Sequence, residues 1–455
     1  MLGRTLALCV LLVAVVAAPV AAQSTLPDNS VVVITSDGVF LVANQVTTKL
    51  LDATAFGGPL NAPSISWIDG TDTFFVTTSS DATGGPGSLW QVTLTPTFQM
   101  GINLTAQVPA WIEPRFVDAD YSPGLDVLFL LQRDSGQIVA WAKPLHSSPS
   151  TMALWGVVPP GDARSIAVRG AKQPFSIVVA LESGPVLRVD KLGTQELFPS
   201  GAWNDIAVTP VGGDLIASKQ DGSVIGQIAT SGLLIDFNVS GLCGPLVAQP
   251  ADVEWDPVAG RAVAIAGEAL PACAFSGTTT GENHVVRLPL TAFGGPPSNQ
   301  PVLLTPPGDS GISGNRADIA LVRHGGSEVT YWGFPFAGAG TSAPLFKHQG
   351  ALAPGKTASL SLAQGPPASA AFLVMGLYPS PVVVQGQVVM PAPQALLPAV
   401  TSATGAASFA LKLPTGAAGL VGLDVYMQWV ADDTTTAAGG DIVSSQAAVF
   451  TVGVK

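Results

Sequence analysis

Apolar residues in this chain run in short period-two stretches, and one such stretch recurs six times between residues 64 and 321. In order the copies read Ser64-Ile65-Ser66-Trp67, Phe116-Val117-Asp118-Ala119, Ser165-Ile166-Ala167-Val168, Asp205-Ile206-Ala207-Val208, Asp252-Val253-Glu254-Trp255 and Asp318-Ile319-Ala320-Leu321. Counted at Ile65, Val117, Ile166, Ile206, Val253 and Ile319, the steps are 52, 49, 40, 47 and 66 residues. Alternation predicts β-strands. A repeat of roughly 40–50 residues is the length of a four-stranded blade in a radial array. The phrase therefore predicts a β-propeller and marks the innermost strand of each blade.

The segments between the phrases carry the other strands. In the fourth repeat Asp205-Ile206-Ala207-Val208 ends at the turn cluster Thr209-Pro210-Val211-Gly212-Gly213, and Leu215-Ile216-Ala217 resumes before Asp221-Gly222 turns again. Val31 to Thr35, the turn Ser36-Asp37-Gly38 and Val39 to Val42 read as strands two and three of a blade without a first. The last phrase, near 317–323, has no room for a complete blade after it. Joining the two closes the ring and removes its exposed edges. The expectation is six blades over 23–330; a seventh would need a cryptic repeat inside the 66-residue step. Beyond Arg323-His324-Gly325-Gly326 the texture changes to Gly, Ala and Pro around alternating strands such as Phe409 to Leu413 and Val425 to Trp429. About 120 residues with seven or so such segments predict a β-sandwich over 331–455. The fold class is thus all-β, a six-bladed propeller followed by a C-terminal sandwich.

Composition adds compartment. Residues 1–22 place Arg4 ahead of the apolar run Leu6 to Val16 and end on Val20-Ala21-Ala22, the anatomy of a secretory signal cleaved near Ala22. The net charge of −12 becomes −13 when Arg4, the one basic residue of that segment, leaves. An acidic chain repels phosphate backbones and anionic headgroups, so nucleic acid and membrane surfaces are disfavoured as partners. Only 11% of residues are charged, against 50 Gly and 38 Pro, as a turn-rich all-β protein requires. The mature chain carries no credible transmembrane segment and is expected in the medium, at the cell surface or in the periplasm. Cys9 leaves with the signal, and the remaining pair, Cys243 and Cys273, reads as one disulfide flanking the fifth phrase.

The C-terminal segment resembles a domain found on many exported planctomycete-type bacterial proteins. The likeness rests on Tyr331-Trp332-Gly333 with Gly338-Ala339-Gly340, on Ala371-Phe372-Leu373-Val374-Met375-Gly376, and on Gly422-Leu423-Asp424-Val425-Tyr426-Met427-Gln428-Trp429. Trp332 replaces the usual small residue, and the family's opening cysteine is absent. The resemblance implies an exported accessory domain and supplies no catalytic residues.

Candidate chemistry is sparse. Gly308-Asp309-Ser310-Gly311 copies a serine-protease nucleophile sequence, but no histidine and orienting carboxylate accompany it in a suitable context. The four histidines are scattered, and Glu282 with His284 do not complete a zinc site. Asp118 with Asp120, and Asp69 with Asp72, lack the pattern of a calcium loop and read as turn and strand-end residues. Asp205, Asp252 and Asp318 open equivalent strands, where a short carboxylate accepts backbone N–H groups. Six inner strands converge on one channel mouth, which would gather Arg115, Arg164, Asn204 and Arg316 beside Asp118, Asp205, Asp252, Glu254 and Asp318. Such a ring would bind an extracellular glycan, a small molecule or a protein partner, with calcium a candidate cofactor in the channel. A second reading stays open: a metal-dependent hydrolase or lyase acting there on a lactone or glycan, with Glu254, Asp205, Asp252 and Asn204 as ligands. Trp67 and Trp255 share one repeat position and read as blade packing. Trp111, Trp155 and Trp203 lie beside turn signals, where exposed indoles suit carbohydrate stacking. Alkylation of the unreduced mature protein is expected to label neither Cys243 nor Cys273, and reduction to expose both; labelling without reductant would remove the disulfide.

Overall fold

The structure is a computed structural model that describes residues 26–27, 29–80, 86–95, 98–169, 175–191, 193–209, 214–220, 223–227, 234–237, 252–256, 259–266, 283–288, 302–306, 309–315, 318–323, 329–332, 335, 344–350, 352–384, 387–391, 393–421, 423–433 and 441–453. The signal segment, Cys243, Cys273 and Arg316 lie outside the described residues.

Six four-stranded antiparallel sheets follow one another along the chain. Blade 1 runs from Asn61–Trp67 to Phe98–Asn103, blade 2 from Phe116–Ser122 to Ala153–Val157 and blade 3 from Ala163–Arg169 to Gly193–Phe198. Blade 4 runs from Trp203–Val208 to Leu234–Phe237 and blade 5 from Asp252–Asp256 to Val302–Leu303. Blade 6 is shared between the two ends of the propeller: Asp318–Leu321 pairs antiparallel with Val31–Thr35, Val33 facing Ile319, and Gly38–Ala43 and Val46–Asp52 complete the sheet. Each inner strand neighbours the next, and the sixth meets the first. The ring closes as the unpaired N-terminal strands imply.

Both faces of each blade are buried, so alternate residues of one strand enter different cores. Val32 and Ile34 pack with Ile65, Phe74 and Val76 between blades 6 and 1, whereas Val31 and Val33 pack with Val263, Ile265 and Ile319 toward blade 5. Leu128 and Leu130 face blade 1 beside Phe75, while Phe129 and Leu131 face blade 3 beside Ile177 and Val179. This is why runs such as Val31 to Ile34 and Leu128 to Leu131 are apolar at every position rather than alternating.

One register differs from the sequence reading. The second phrase was counted at Val117, but a bulge between Phe116 and Asp118 shifts the strand. Asp118 then occupies the place of Ser64, Ser165, Asp205, Asp252 and Asp318, and Ala119 that of Ile65. Blades 3 and 4 carry the same bulge at Arg164 and Asn204.

The C-terminal segment is a sandwich. Val329–Trp332, Asp441–Thr451, Asp424–Asp433, Ala370–Gly376 and Ala395–Val400 form one sheet, and Leu345–Gln349, Thr357–Ala363 and Ala407–Lys412 the other. Phe346, Leu360 and Leu362 of the second sheet meet Leu373, Met427, Trp429 and Phe450 of the first in one core. A separate hairpin, Pro379–Val384 with Gln387–Pro391, brings the strand count above the seven expected. Against the propeller, Trp255 Nε1 donates to the carbonyl of Tyr331 at 3.3 Å. Gly260, at φ +62°, lies so close to Tyr331 that a Cβ there would stand 2.8 Å from the tyrosine's own. Among the described residues no helix is long and apolar enough to cross a membrane.

Phe74 is fully buried between blades 6 and 1. Phe74→Ala is expected to cost about 3–5 kcal/mol, read as a lower urea midpoint at unchanged slope. A loss below about 1 kcal/mol would show that this seam is not packed as described.

Candidate functional site

Each inner strand turns one edge to the propeller axis, where its backbone N–H groups have no strand to pair with. Side chains of the preceding blade accept them. Asp318 Oδ2 takes the N–H of Ile65 at 2.7 Å, Asp118 Oδ2 that of Ile166 at 2.7 Å, Asp205 Oδ2 that of Val253 at 2.8 Å and Asp252 Oδ2 that of Ile319 at 2.7 Å. The two blades without an aspartate here carry serine. Ser64 donates to Asp118 Oδ1 at 2.6 Å; Ser165 accepts from Ile206 N at 3.2 Å and donates to Asp205. The structural role expected of Asp205, Asp252 and Asp318 is present, but it operates across blades and not within one turn.

These bonds draw four carboxyl groups to one waist. Asp252 lies between Asp205 and Asp318, where a proton shared among the carboxyl groups relieves their like charge. Burial first, then the neighbouring Asp205 and Asp318, push Asp252 well above the usual carboxylate range. Burial, then Asp318 and Asp205, do the same to Asp118, and burial raises Asp318.

The waist separates two chambers, and Asp118, Asp205, Asp252 and Asp318 line both. The lower, about 40 Å³, is bordered by Pro63, Val117, Arg164 and Asn204, the residues just before the waist positions. Arg164 Nη2 donates to Asn204 Oδ1 at 3.2 Å. The upper chamber, about 160 Å³, is lined by the residues two further along each strand. These are Ser66, Asp120, Ala167, Ala207, Glu254 and Ala320. Four small side chains leave the space. The two acids belong to blades 2 and 5, which are three apart in a ring of six and therefore face each other across the axis.

Arg323 crosses the upper chamber. Its Nη2 donates to Glu254 Oε1 at 3.0 Å and to the carbonyl of Trp255 at 2.8 Å. Its own carbonyl accepts from Gly70 N at 2.7 Å and Trp67 Nε1 at 3.2 Å. It thus ties blade 5 to blade 1 across blade 6. Burial works against its charge, but Asp69, Glu254, Asp256 and Asp120 outweigh burial and hold its pKa above the ordinary arginine value. Its Nε–H has no acceptor among the described residues. Burial pushes Glu254 up to about 8 although Arg323 opposes it, and pushes Asp120 up to about 7 against the bond from Val168 N. Burial also raises Asp69. The chamber thus presents carboxyl groups that change charge near neutral pH on opposite walls, beside a fixed cation.

The sequence-derived ring is therefore two tiers and a waist rather than one mouth. Asp118, Asp205, Asp252 and Asp318 come together, with Glu254 above them and Arg164 and Asn204 below. Arg115 does not join: it pairs with Glu113 at 2.7 Å and Asp134 at 3.3 Å and lines neither chamber. Asp120, Asp69 and Arg323 are the members that sequence reasoning missed. Asp120 follows Asp118 by two as Glu254 follows Asp252, and this spacing identifies it once the bulge at Val117 is allowed for. Among the described residues no group of three or more His, Cys, Asp or Glu is arranged to hold a metal ion. The calcium site and the ligand set Glu254, Asp205, Asp252 and Asn204 therefore find no geometric support here. Trp67 and Trp255 pack as expected, at 6% and 0% exposure. Of Trp111, Trp155 and Trp203, only Trp111 is well exposed; Trp203 is buried and donates to Pro199 O, and Trp155 packs against Phe129 and Phe175.

Comparison with known proteins assigns no family. No family model and no curated protein matches the chain. Among solved structures it is similar to an auxiliary nutrient binding protein from Bacteroides thetaiotaomicron, at 11% identity and TM-score 0.40 over 52% of this chain and 63% of that one. It is also similar to a protein of unknown function from the same organism (11%, TM-score 0.37, 56% and 61%). A third similarity is to a protein assigned as a 6-phosphogluconolactonase from Bacteroides uniformis (10%, TM-score 0.36, 57% and 78%). These are similarities of β-propeller shape; the reading of the site rests on its own geometry.

Removing the positive charge beside Glu254 must raise its pKa further. Arg323→Gln is expected to move the Glu254 carboxyl titration, followed by infrared difference spectroscopy against Glu254→Gln, upward from about 8. A downward shift would contradict the placement of Arg323.

Proposed function

We propose that this protein is an exported binding protein that takes a small polyhydroxylated molecule in the upper chamber of its propeller. One observation carries the reading: Asp120 and Glu254 face each other across a cavity of about 160 Å³, and the four other residues of their tier, Ser66, Ala167, Ala207 and Ala320, are small. Carboxyl groups and a guanidinium on opposing walls offer acceptors and donors at both ends of a compact ligand, as small-molecule sites require. The secretory signal at 1–22 supports export, and the C-terminal sandwich, with its planctomycete-type resemblance, supports an accessory role outside the cytoplasm.

A second reading, a hydrolase or lyase, is favoured by the proton that Glu254 keeps up to about 8 opposite Asp120 at about 7, the poise of a general acid facing a base. Turnover of a lactone or glycoside that vanishes in Glu254→Gln while binding persists would carry it.

Calorimetric titration with neutral monosaccharides, sugar acids and primary amines at pH 6 tests the binding reading. A neutral monosaccharide is expected to bind, and Asp120→Asn with Glu254→Gln to weaken it about tenfold or more, the cost of one or two hydrogen bonds donated by the protonated carboxyl groups. Binding unaffected by the pair, or confined to the amines, would overturn it.

A further inference from the structure

We propose that the four-carboxyl waist is a pH-sensitive latch, holding the propeller ring shut at acid pH and loosening the seams that flank blades 5 and 6 as the pH rises. The latch stands whether or not the chamber above it takes a ligand.

Geometry is the first support. Three consecutive seams are closed by carboxyl groups that also meet one another. Asp205 bridges blade 4 to Val253 of blade 5, Asp252 bridges blade 5 to Ile319 of blade 6, and Asp318 bridges blade 6 to Ile65 of blade 1. Asp252 stands in the middle, and all three line the same two chambers. Asp118, which bridges blade 2 to blade 3, faces them and feels the charge of Asp318 and Asp205. The same groups therefore fasten the ring and repel one another once ionised.

Among the described residues no cation is paired with a waist carboxyl. Blade 1 contributes Ser64 and Ser66 and, from the turn after its inner strand, Asp69 in the upper chamber. Blade 2 adds Asp120 above the waist, and blade 5 adds Glu254. Arg164 of blade 3 lies in the lower chamber, bonded to Asn204 of blade 4. Arg323, after the inner strand of blade 6, pairs with Glu254, and Asp256 at the end of blade 5's inner strand pairs with Arg287 at 2.8 Å. None of the ion pairs among the described residues reaches a waist carboxyl. Retained protons are what let Asp118, Asp252 and Asp318 stand together in a buried channel.

The sign follows. Asp118, Asp252 and Asp318 have folded pKa values raised above the ordinary 3.8, so folding binds protons. Stability from the waist is complete below the unfolded value and declines as pH rises through the folded values. Each amide-to-carboxylate bond strengthens on ionisation, but burial and like charge outweigh that gain.

Amide hydrogen exchange of the full mature chain tests the latch at Ile65, Val253 and Ile319 from pH 5 to pH 9, corrected for the intrinsic rise in exchange rate. The wild type is expected to lose protection at these amides by about tenfold or more across that range, as a raised pKa demands. Asp252→Asn keeps an oxygen for Ile319 N–H and offers amide N–H groups toward Asp205 and Asp318, where protonated Asp252 offers its one O–H, but it has no proton to lose. It is expected to flatten the decline at Ile319, whereas Glu254→Gln, in the upper chamber, leaves it in place. Protection in the wild type that is constant or increases with pH would overturn the proposal. So would an Asp252→Asn variant that declines as steeply as the wild type. If Asp252→Asn does not fold, Asp318→Asn read at Ile65 gives the same test.

Discussion

A carboxylate on one inner strand accepting a backbone N–H from the next is the contact on which this propeller depends. Inner strands pair on one side only, and their axial edges would leave amide groups buried without partners, at a cost of about 1–3 kcal/mol each. Asp118, Asp205, Asp252 and Asp318, with Ser165, answer that need at the same position in five blades; in blade 1 Ser64 donates to Asp118, which takes the N–H of Ala119 itself. The solution has a consequence of its own. Residues equivalent by the ring's symmetry converge on its axis, so four acids meet where there is little water to separate them. Proton sharing at Asp252 and the division of the channel into two chambers both follow from this one repeated choice of side chain.

The upper chamber exists because the next tier in does the opposite. At Ser66, Ala167, Ala207 and Ala320 the side chains are small, and only blades 2 and 5 break the pattern, with Asp120 and Glu254. A structural requirement would act alike on all six blades; a pair of acids on opposite blades answers to something else. Arg323 holds one of them, and its backbone clasps blade 1. The tier that fastens the ring and the tier that offers a site are thus adjacent, separated by two residues of strand.

Much of the architecture was legible because its cause is local. Buried blades need strands that are apolar on both faces, and Val31 to Ile34 and Leu128 to Leu131 announce this in any register. The missing first strand before Val31 and the isolated phrase at Asp318 pointed to each other, since an open ring would leave two unpaired edges. The site was only partly legible. Asp205, Asp252 and Asp318 stood out as equivalents, but a single bulged residue, Val117, displaced Asp118 from their company and hid Asp120. A β-bulge leaves no reliable mark in one sequence. Arg115 was placed at the channel by proximity to Phe116, yet the bulge and two nearby acids turn it aside. Arg323 looked like the end of a domain because nothing local distinguishes a chain exit from a tie across the ring. Trp203 stood beside a turn signal, but its ring packs on Phe198, and turn residues do not reveal that.

Neutron diffraction from crystals of the deuterium-exchanged mature protein near neutral pH tests the central claim most directly, because it shows the hydrogen positions at the waist. The account predicts deuterons on the backbone nitrogens of Ile65, Ile166, Val253 and Ile319 directed at carboxyl oxygens, and a deuteron between Asp252 and Asp205 or Asp318. Four bare carboxylates with water or a cation among them, and amides that point elsewhere, would contradict it.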